Sequence, residues 1–387
     1  MKWTLVDAHG LDDVLIALSK GREVYAPERA QDGSFKLSKA GKWLTGSHTL
    51  GTFRPTEPLK SLFFPAREFI GRWKNGEKNG AGYNLLVLNC IRPHFSHFSP
   101  RIVFGVKNCD LSSLAVFDFV FLQGVAKDPY YAEAREKTII VSSDCSDHLD
   151  VCFCPAVGEQ PWAEKGFDIN IAQTKAGVVI EEGSARGSKV LKQAYALLKP
   201  AGDDQLARLE EQRQRHYDEL AEHSAAHGLK PGVDLQAAVE GSFESELWSD
   251  FAGDCVECGA CNFICCTCHC FLLADGVDAD GVPARTKLWD ACLYSGFART
   301  AGGGTPRPWR AERLRNRFDK KFSFFPQVLG RYACDGCGRC TEACIANIDI
   351  RDVLARADQE SRRQGRLSQD NDRDQDKDVV RAGPAGD

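Results

Sequence analysis

Cys255-Val-Glu-Cys258-Gly-Ala-Cys261-Asn-Phe-Ile-Cys265 and Cys334-Asp-Gly-Cys337-Gly-Arg-Cys340-Thr-Glu-Ala-Cys344 decide how this chain is read. Both runs have the spacing C-x2-C-x2-C-x3-C. They hold eight of the 17 cysteines, so the thiols are grouped at ligand distance rather than spread along the chain.

That spacing suits a cubane iron–sulfur cluster. Two residues between cysteines let a short loop wrap one cluster and offer three thiolates to three irons, while the fourth Cys opens the next helix and, in two-cluster ferredoxins, ligates the other cluster. The runs therefore predict one [4Fe–4S] cluster on Cys255, Cys258, Cys261 and Cys344. They predict a second on Cys334, Cys337, Cys340 and Cys265. Gly259, Gly336 and Gly338 fit this reading, because backbone amides must approach the sulfurs closely. Zinc is the competing metal, but it takes four ligands in two C-x2-C pairs and has no use for the third and fourth Cys of each run. The usual run ends in Cys-Pro, whereas Cys266 follows Cys265 and Ile345 follows Cys344. That departure removes no ligand.

Working outward, Cys268 and Cys270 follow the first run, with His269 between them. Packing around the cluster is the expectation for them, since eight cysteines already saturate two clusters. Cys109, Cys145, Cys152 and Cys154 lie in the first half of the chain and could hold a third [4Fe–4S] cluster. The competing reading is four buried thiols without a metal. Cys90 and Cys292 stand alone, and core packing is the default for both.

The composition bounds the rest. The chain has 387 residues, 43% hydrophobic and 27% charged, enough for two or three globular domains. Its net charge of −5 argues against nucleic-acid binding as the main task. No stretch approaches the roughly 18 apolar residues of a membrane span. Asp7, Asp12 and Asp13 interrupt any signal-peptide core, and with metal-spaced thiols this points to the cytoplasm.

The expected fold class is α+β: an N-terminal α/β domain over 1–202, a helical connection over 203–232, a mainly helical ferredoxin-like dicluster domain over 233–356, and a charged disordered tail over 357–387. Leu85–Leu88, Ile102–Gly105, Thr138–Val141 and Gly177–Ile180 read as strands. Asp110 is the expected N-cap of a helix over Leu111–Leu122, and Asn75–Gly82 reads as a surface loop. Asp203 to His227 reads as one exposed amphipathic helix stopped by Gly228 and Pro231, and Asp234 as the cap of the next. His216, His223 and His227 on that helix, and His94 and His97 in a loop, read as solvated. Gly302-Gly-Gly304 follows no predicted strand and reads as a turn before Pro306 rather than a phosphate cradle. The basic stretch Arg307–Lys321 reads as compensation for the negative charge of thiolate-ligated clusters, or as a dock for an acidic partner, ahead of nucleic-acid binding or a plain solvated face.

These motifs resemble a known family. Cys255–Cys261 with Thr267-Cys-His-Cys-Phe271 looks like the dicluster domain of the beta, iron–sulfur subunit of cytosolic [NiFe]-hydrogenase or sulfhydrogenase, a type shared with the iron–sulfur subunit of anaerobic sulfite reductase. Leu288-Trp-Asp-Ala-Cys292, Ala301-Gly-Gly-Gly-Thr-Pro-Arg307, the second run and Ala346-Asn-Ile-Asp-Ile350 are similar too. So are Phe104-Gly-Val-Lys-Asn-Cys-Asp110, Asp128-Pro-Tyr-Tyr131 and Cys152-Phe-Cys154. The likeness runs from about Phe63 to Ile350. It implies a non-catalytic electron-transfer subunit between a flavin- or NAD(P)-binding partner and a catalytic partner of hydrogenase, sulfite reductase or heterodisulfide reductase type. The alternative function is a stand-alone Fe–S reductase with its own substrate site, which would need a cluster with only three protein ligands or an organic cofactor. No Ser–His–Asp or Cys–His arrangement and no nucleotide-binding glycine motif supports a catalytic site on this chain.

Overall fold

The computed structural model of the chain describes residues 1–5, 10–40, 50–73, 90–91, 98–175 and 177–364. The expected strand Leu85–Leu88, the loop Asn75–Gly82, His94, His97 and the tail from 365 lie outside the described residues, as does the Cys90 side chain. The fold is a mixture of helices and strands, α+β as expected. Contacts group it into two units whose boundaries interleave along the chain. The first comprises 1–149, 160–217 and 262–291, and the second comprises 150–159, 218–261 and 292 onward. The continuous division expected from the sequence does not coincide with these.

The first unit is built on an eight-stranded sheet. Its order is Leu198–Pro200, Lys2–Leu5, Gly177–Glu182, Ile169–Thr174, Thr138–Ser143, Arg101–Val106, Glu23–Arg29 and Phe35–Lys39. The four strands from Ile169–Thr174 to Glu23–Arg29 run parallel, and every residue of Arg101–Val106 and Thr138–Ser143 is buried. Continuous apolar β-branched runs of this kind are what a sheet covered on both faces requires. Helix Leu11–Ser19 packs Val14, Leu15 and Leu18 among the side chains of one core cluster, and helix Asn108–Leu122 supplies Leu114, Phe117 and Phe121 to another.

Asp110 is not the N-cap of that second helix. The helix starts at Asn108 with Lys107 as cap, and the Asp110 carboxylate instead accepts from the Leu59 amide at 3.1 Å. A carboxylate in the first turn still meets the positive end of the helix. Asp128 does cap Pro129–Glu136, accepting from the Tyr130 and Tyr131 amides, while Lys287 donates to its other oxygen at 2.6 Å. Lys287 lies on a hairpin, Phe271–Val277 and Pro283–Trp289, that pairs with Arg67–Trp73 in a second, four-stranded sheet. This hairpin falls where the sequence predicts a mainly helical domain.

Helix Asp203–Ala226 matches its expected span and ends before Gly228 at φ +80°, a conformation that favours glycine. It is less exposed than its composition suggests. Leu209, Arg213, His216 and Leu220 are buried, and Arg213 ion-pairs with Asp144 and Glu181 at 2.7 and 2.8 Å. His216 is therefore not a solvated histidine.

In the second unit Asp234 caps Leu235–Gly241, accepting from the Ala237 amide at 3.0 Å as expected. The core joins Leu235, Val239, Leu247, Trp248, Leu314, Phe318 and Phe322 to Val353, Leu354 and Ala357. Trp248 satisfies its indole N–H on the Ser242 carbonyl at 2.8 Å, as a buried Trp must. The last three of these core residues belong to a helix over 350–364, so the tail expected from 357 is helical at least to 364. Gly302–Gly304 forms a turn closed by the Thr300 amide on the Gly304 carbonyl, as expected.

Candidate iron–sulfur site

In the second unit Cys255, Cys258, Cys261 and Cys344 line one cavity. They are the three leading cysteines of the first run and the last of the second, 83 residues beyond Cys261 in the chain. Cys340 also reaches the wall, and Leu293, Leu314, Phe318, Ile348 and Ile350 make most of the rest apolar. Soft thiols around an apolar hollow are the donor set of an iron–sulfur cluster, and a single zinc ion bound tetrahedrally at Zn–S distances of about 2.3 Å would need no hollow.

Backbone conformation shapes this loop. Glu257 and Gly259 both take positive φ, +56° and +73°. A Cβ on Gly259 would stand 2.8 Å from the Tyr294 ring, whose hydroxyl donates to the Cys258 carbonyl at 3.3 Å. Glu257 carries a side chain in the left-handed region and is held there by an ion pair with Arg313. In the same cavity the Ile348 amide donates to the Cys344 sulfur at 3.3 Å. Such amide–sulfur bonds stabilise a thiolate and lower the electron density that a metal must share. Burial pushes the Cys261 thiol above its ordinary pKa. The Arg317 guanidinium opposes that, while Cys292, Cys255 and Cys344 add to it. Four thiols gathered at one apolar hollow suit a cationic metal group.

The basic stretch supplies part of that charge from inside. Arg313, Arg317 and Lys321 are buried, which a plain solvated face would not require. Arg310, Arg313 and Arg317 are three and four residues apart, which places them on one face of helix Arg310–Asp319, and Lys321 follows in the π-helical turn after it. Arg310 donates to the Cys255 carbonyl at 2.6 Å and Arg317 to the Cys261 carbonyl at 3.1 Å. Lys321 donates to the Ala333 carbonyl at 2.8 Å, one residue before Cys334, and Arg313 to the Leu293 carbonyl at 3.1 Å. The carbonyls of both Cys loops thus meet cations.

Cys334, Cys337 and Cys340 lie in the same unit. Gly336 and Gly338, at φ +64° and +69°, pack against the segment that carries Cys152 and Cys154. A Cβ on Gly336 would fall 2.4 Å from the Cys154 backbone, and one on Gly338 only 2.1 Å from the Val151 carbonyl oxygen. The Phe153 amide donates to the Gly336 carbonyl at 2.8 Å. Cys265, expected as the fourth ligand here, belongs to the first unit, where its sulfur lies 3.3 Å from the Thr267 hydroxyl. Beside it Lys60 donates to the carbonyls of Asn262 and Cys268 and stacks over the Trp289 ring. Cys266 is buried, and Cys268 and Cys270 are half-buried.

The four cysteines expected at a third cluster divide between the units. Cys152 and Cys154 belong to the second. Cys109 and Cys145 belong to the first, and both act on one buried lysine. Lys107 donates its three N–H groups to Gly51 O, Ser143 Oγ and Asp144 O at 2.8–2.9 Å. Burial pushes its ammonium down; Cys145, Asp144 and Cys109 push it up. Sequence reasoning overlooked this lysine and the approach of Cys292 to Cys261. The first was legible in principle as a Lys between strand and helix; the second had no local signal.

Three comparisons bear on the site. A family model described as a 4Fe-4S dicluster domain matches residues 254–348. Sulfhydrogenase 2 subunit beta of Pyrococcus furiosus is 30% identical over 253 residues, covering 65% of this chain and 72% of that protein. No solved structure matches.

Proposed function

We propose that this chain, which belongs to the sulfhydrogenase beta-subunit family of iron–sulfur proteins, relays electrons through two [4Fe–4S] clusters in a multi-subunit oxidoreductase. The observation that carries the reading is the cavity shared by Cys255, Cys258, Cys261 and Cys344. Those four residues hold the first cluster. Cys334, Cys337, Cys340 and Cys265 hold the second. Cys109, Cys145, Cys152 and Cys154 are the candidates for a third, and the buried Lys107 lies near two of them.

When bound, such a cluster takes up and returns one electron at a time. The chain's own residues do the rest. The apolar wall keeps water from the inner sulfurs, and the Ile348 amide fixes the Cys344 sulfur. Arg310, Arg317 and Lys321 hold the loop carbonyls by hydrogen bonds and offset the negative charge. Cys258 is exposed, which leaves one edge of the first cluster within reach of a docked partner. The partners are a catalytic protein of hydrogenase, sulfite reductase or heterodisulfide reductase type and one that binds flavin or NAD(P). Among the described residues no helix is long and apolar enough to cross a membrane.

Anaerobic purification with iron and sulfide counting tests this. About eight irons per chain correspond to two clusters and about twelve to three, with a reduced-state EPR signal from each. A colourless, EPR-silent protein containing only zinc would overturn it. Affinity capture from the native host should bring down a redox flavoprotein or a hydrogenase-type protein; turnover of a substrate by the isolated chain would replace the relay with a stand-alone reductase.

A further inference from the structure

We propose that Asp150, His223 and His227 form a binding site for one divalent first-row transition metal ion, separate from every cysteine of the chain. All three residues belong to the second unit. His223 lies in the last turn of helix Asp203–Ala226 and His227 one residue past its end, with ring centroids 5.4 Å apart. The sequence alone showed no carboxylate beside them. The fold supplies one from 73 residues earlier: a donor atom of Asp150 and one from each imidazole all lie within 4.8 Å of one another.

The spacing fits a common ion. Two ligands each about 2.0–2.1 Å from a tetrahedral metal are about 3.4 Å apart, and Asp150 Oδ1 stands 3.6 Å from His223 Nε2. Both histidines are half-buried and Asp150 is exposed, which leaves the remaining position to water. Two imidazoles and a carboxylate select zinc, nickel or cobalt over calcium or magnesium, which prefer all-oxygen sites. The helix C-terminus adds a favourable partial negative charge. The Asp150 backbone is held independently, since Arg351 donates to its carbonyl at 2.7 Å while its guanidinium is ion-paired to Asp349. That guanidinium also lies 4.0 Å from the Asp150 carboxylate, and its charge weakens the site without closing it. His223 Nε2 contacts the Asp150 carbonyl at 2.5 Å, a bond given up when the ring turns its nitrogen to the metal. The bound ion would tie the end of this helix to the stretch of chain that leads, two residues on, into Cys152-Phe-Cys154.

The test uses the anaerobically prepared chain with its clusters in place, titrated with Zn2+. Wild type should retain one zinc ion per chain after gel filtration. His223→Ala and His227→Ala should each bind at least tenfold more weakly, and Asp150→Asn should be weakened, all with unchanged iron content. The zinc absorption edge should show nitrogen and oxygen neighbours at about 2.0–2.1 Å and no sulfur at about 2.3 Å. Zinc retained equally by the histidine variants, or a sulfur shell, would overturn the proposal. Iron content and circular dichroism check that each variant is folded, and His227→Asn provides a milder replacement if alanine disturbs the helix end.

Discussion

Replacing Cys265 and Cys344 by alanine, singly and together, tests whether the two clusters exchange their fourth ligands. If each run lends its last thiolate to the other's cluster, the chain is stapled twice across the same stretch. The first staple closes a loop of 83 residues from Cys261 to Cys344. By the chain-entropy relation for cross-links, that closure alone removes about 4.5 kcal/mol of denatured-state freedom at 298 K. The second staple runs from Cys265 to Cys334–Cys340 and adds only the short circuit between the two, four residues on each side. Eight residues of loop are worth about 2.5 kcal/mol. Either single variant therefore loses only the short circuit, about 2.5 kcal/mol, because the other cluster still closes the long loop. The double variant loses both, about 7 kcal/mol, so the double-mutant cycle carries a coupling of about 2 kcal/mol. Urea unfolding of the anaerobic holoprotein, followed by circular dichroism with iron release followed by visible absorbance, reads these differences. Cys258→Ala is the control, since Cys258 sits between two retained ligands and opens no long loop. Additive single and double effects, or a Cys344→Ala variant as stable as Cys258→Ala, would refute the interlocked arrangement.

Five further outcomes follow from the geometry. Gly338→Ala should lower iron content and cost several kcal/mol, because its Cβ would strike the Val151 carbonyl. Gly330→Ala, at the same φ but with nothing within 4 Å, should cost only about 1–2 kcal/mol and leave iron unchanged. Arg317→Leu should make the first cluster harder to reduce, lowering its potential by about 60 mV for each 1.4 kcal/mol of lost stabilisation, measured by redox-poised EPR. Arg213→Ala should destabilise the chain by about 3–5 kcal/mol by stranding Asp144 and Glu181. Burial pushes the Glu181 carboxyl up, but Arg213, Lys2 and Asn170 outweigh it and hold it below its ordinary value. Its stabilisation is therefore complete above the unfolded-state value, about pH 4.3, and fades as pH falls through the depressed folded value; Glu181→Gln should flatten that acid limb of the urea midpoint.

What the sequence could disclose depended on how local the signal was. The Cys runs carry their chemistry in spacings of two and three residues, so the cavity residues could be chosen in advance. The strands at Ile102, Thr138 and Gly177 announce themselves by β-branched runs, and Asp234 by its position before an apolar helix. Asp110 misled because a cap is a competition, and the Leu59 amide, 51 residues away, won its carboxylate. The division into two units was illegible for the same reason. Pro283–Trp289 is drawn out of the dicluster region by pairing with Arg67–Trp73, some two hundred residues earlier, and nothing within the hairpin marks that partner. The helix to 364 was hidden by a charged composition in which Val353, Leu354 and Ala357 form the strip that reaches the core.

The basic helix turns part of its charge inward. Of the seven cations between Arg307 and Lys321, Arg313, Arg317 and Lys321 are buried. Taking a cation out of water costs several kcal/mol unless negative charge and hydrogen bonds meet it. The hydrogen bonds are there, on the carbonyls of Cys255, Cys261, Leu293 and Ala333. These contacts fix the carbonyls of both Cys loops. Clusters with a net charge of about −2 would then supply the charge that the carbonyls lack. Loss of iron should therefore destabilise the helix from Arg310 more than its apolar contacts alone would suggest, and backbone amide exchange over 310–321 should rise selectively when the clusters are removed by chelation. Uniform exchange before and after chelation would show that these cations are held by the fold alone and owe nothing to the clusters.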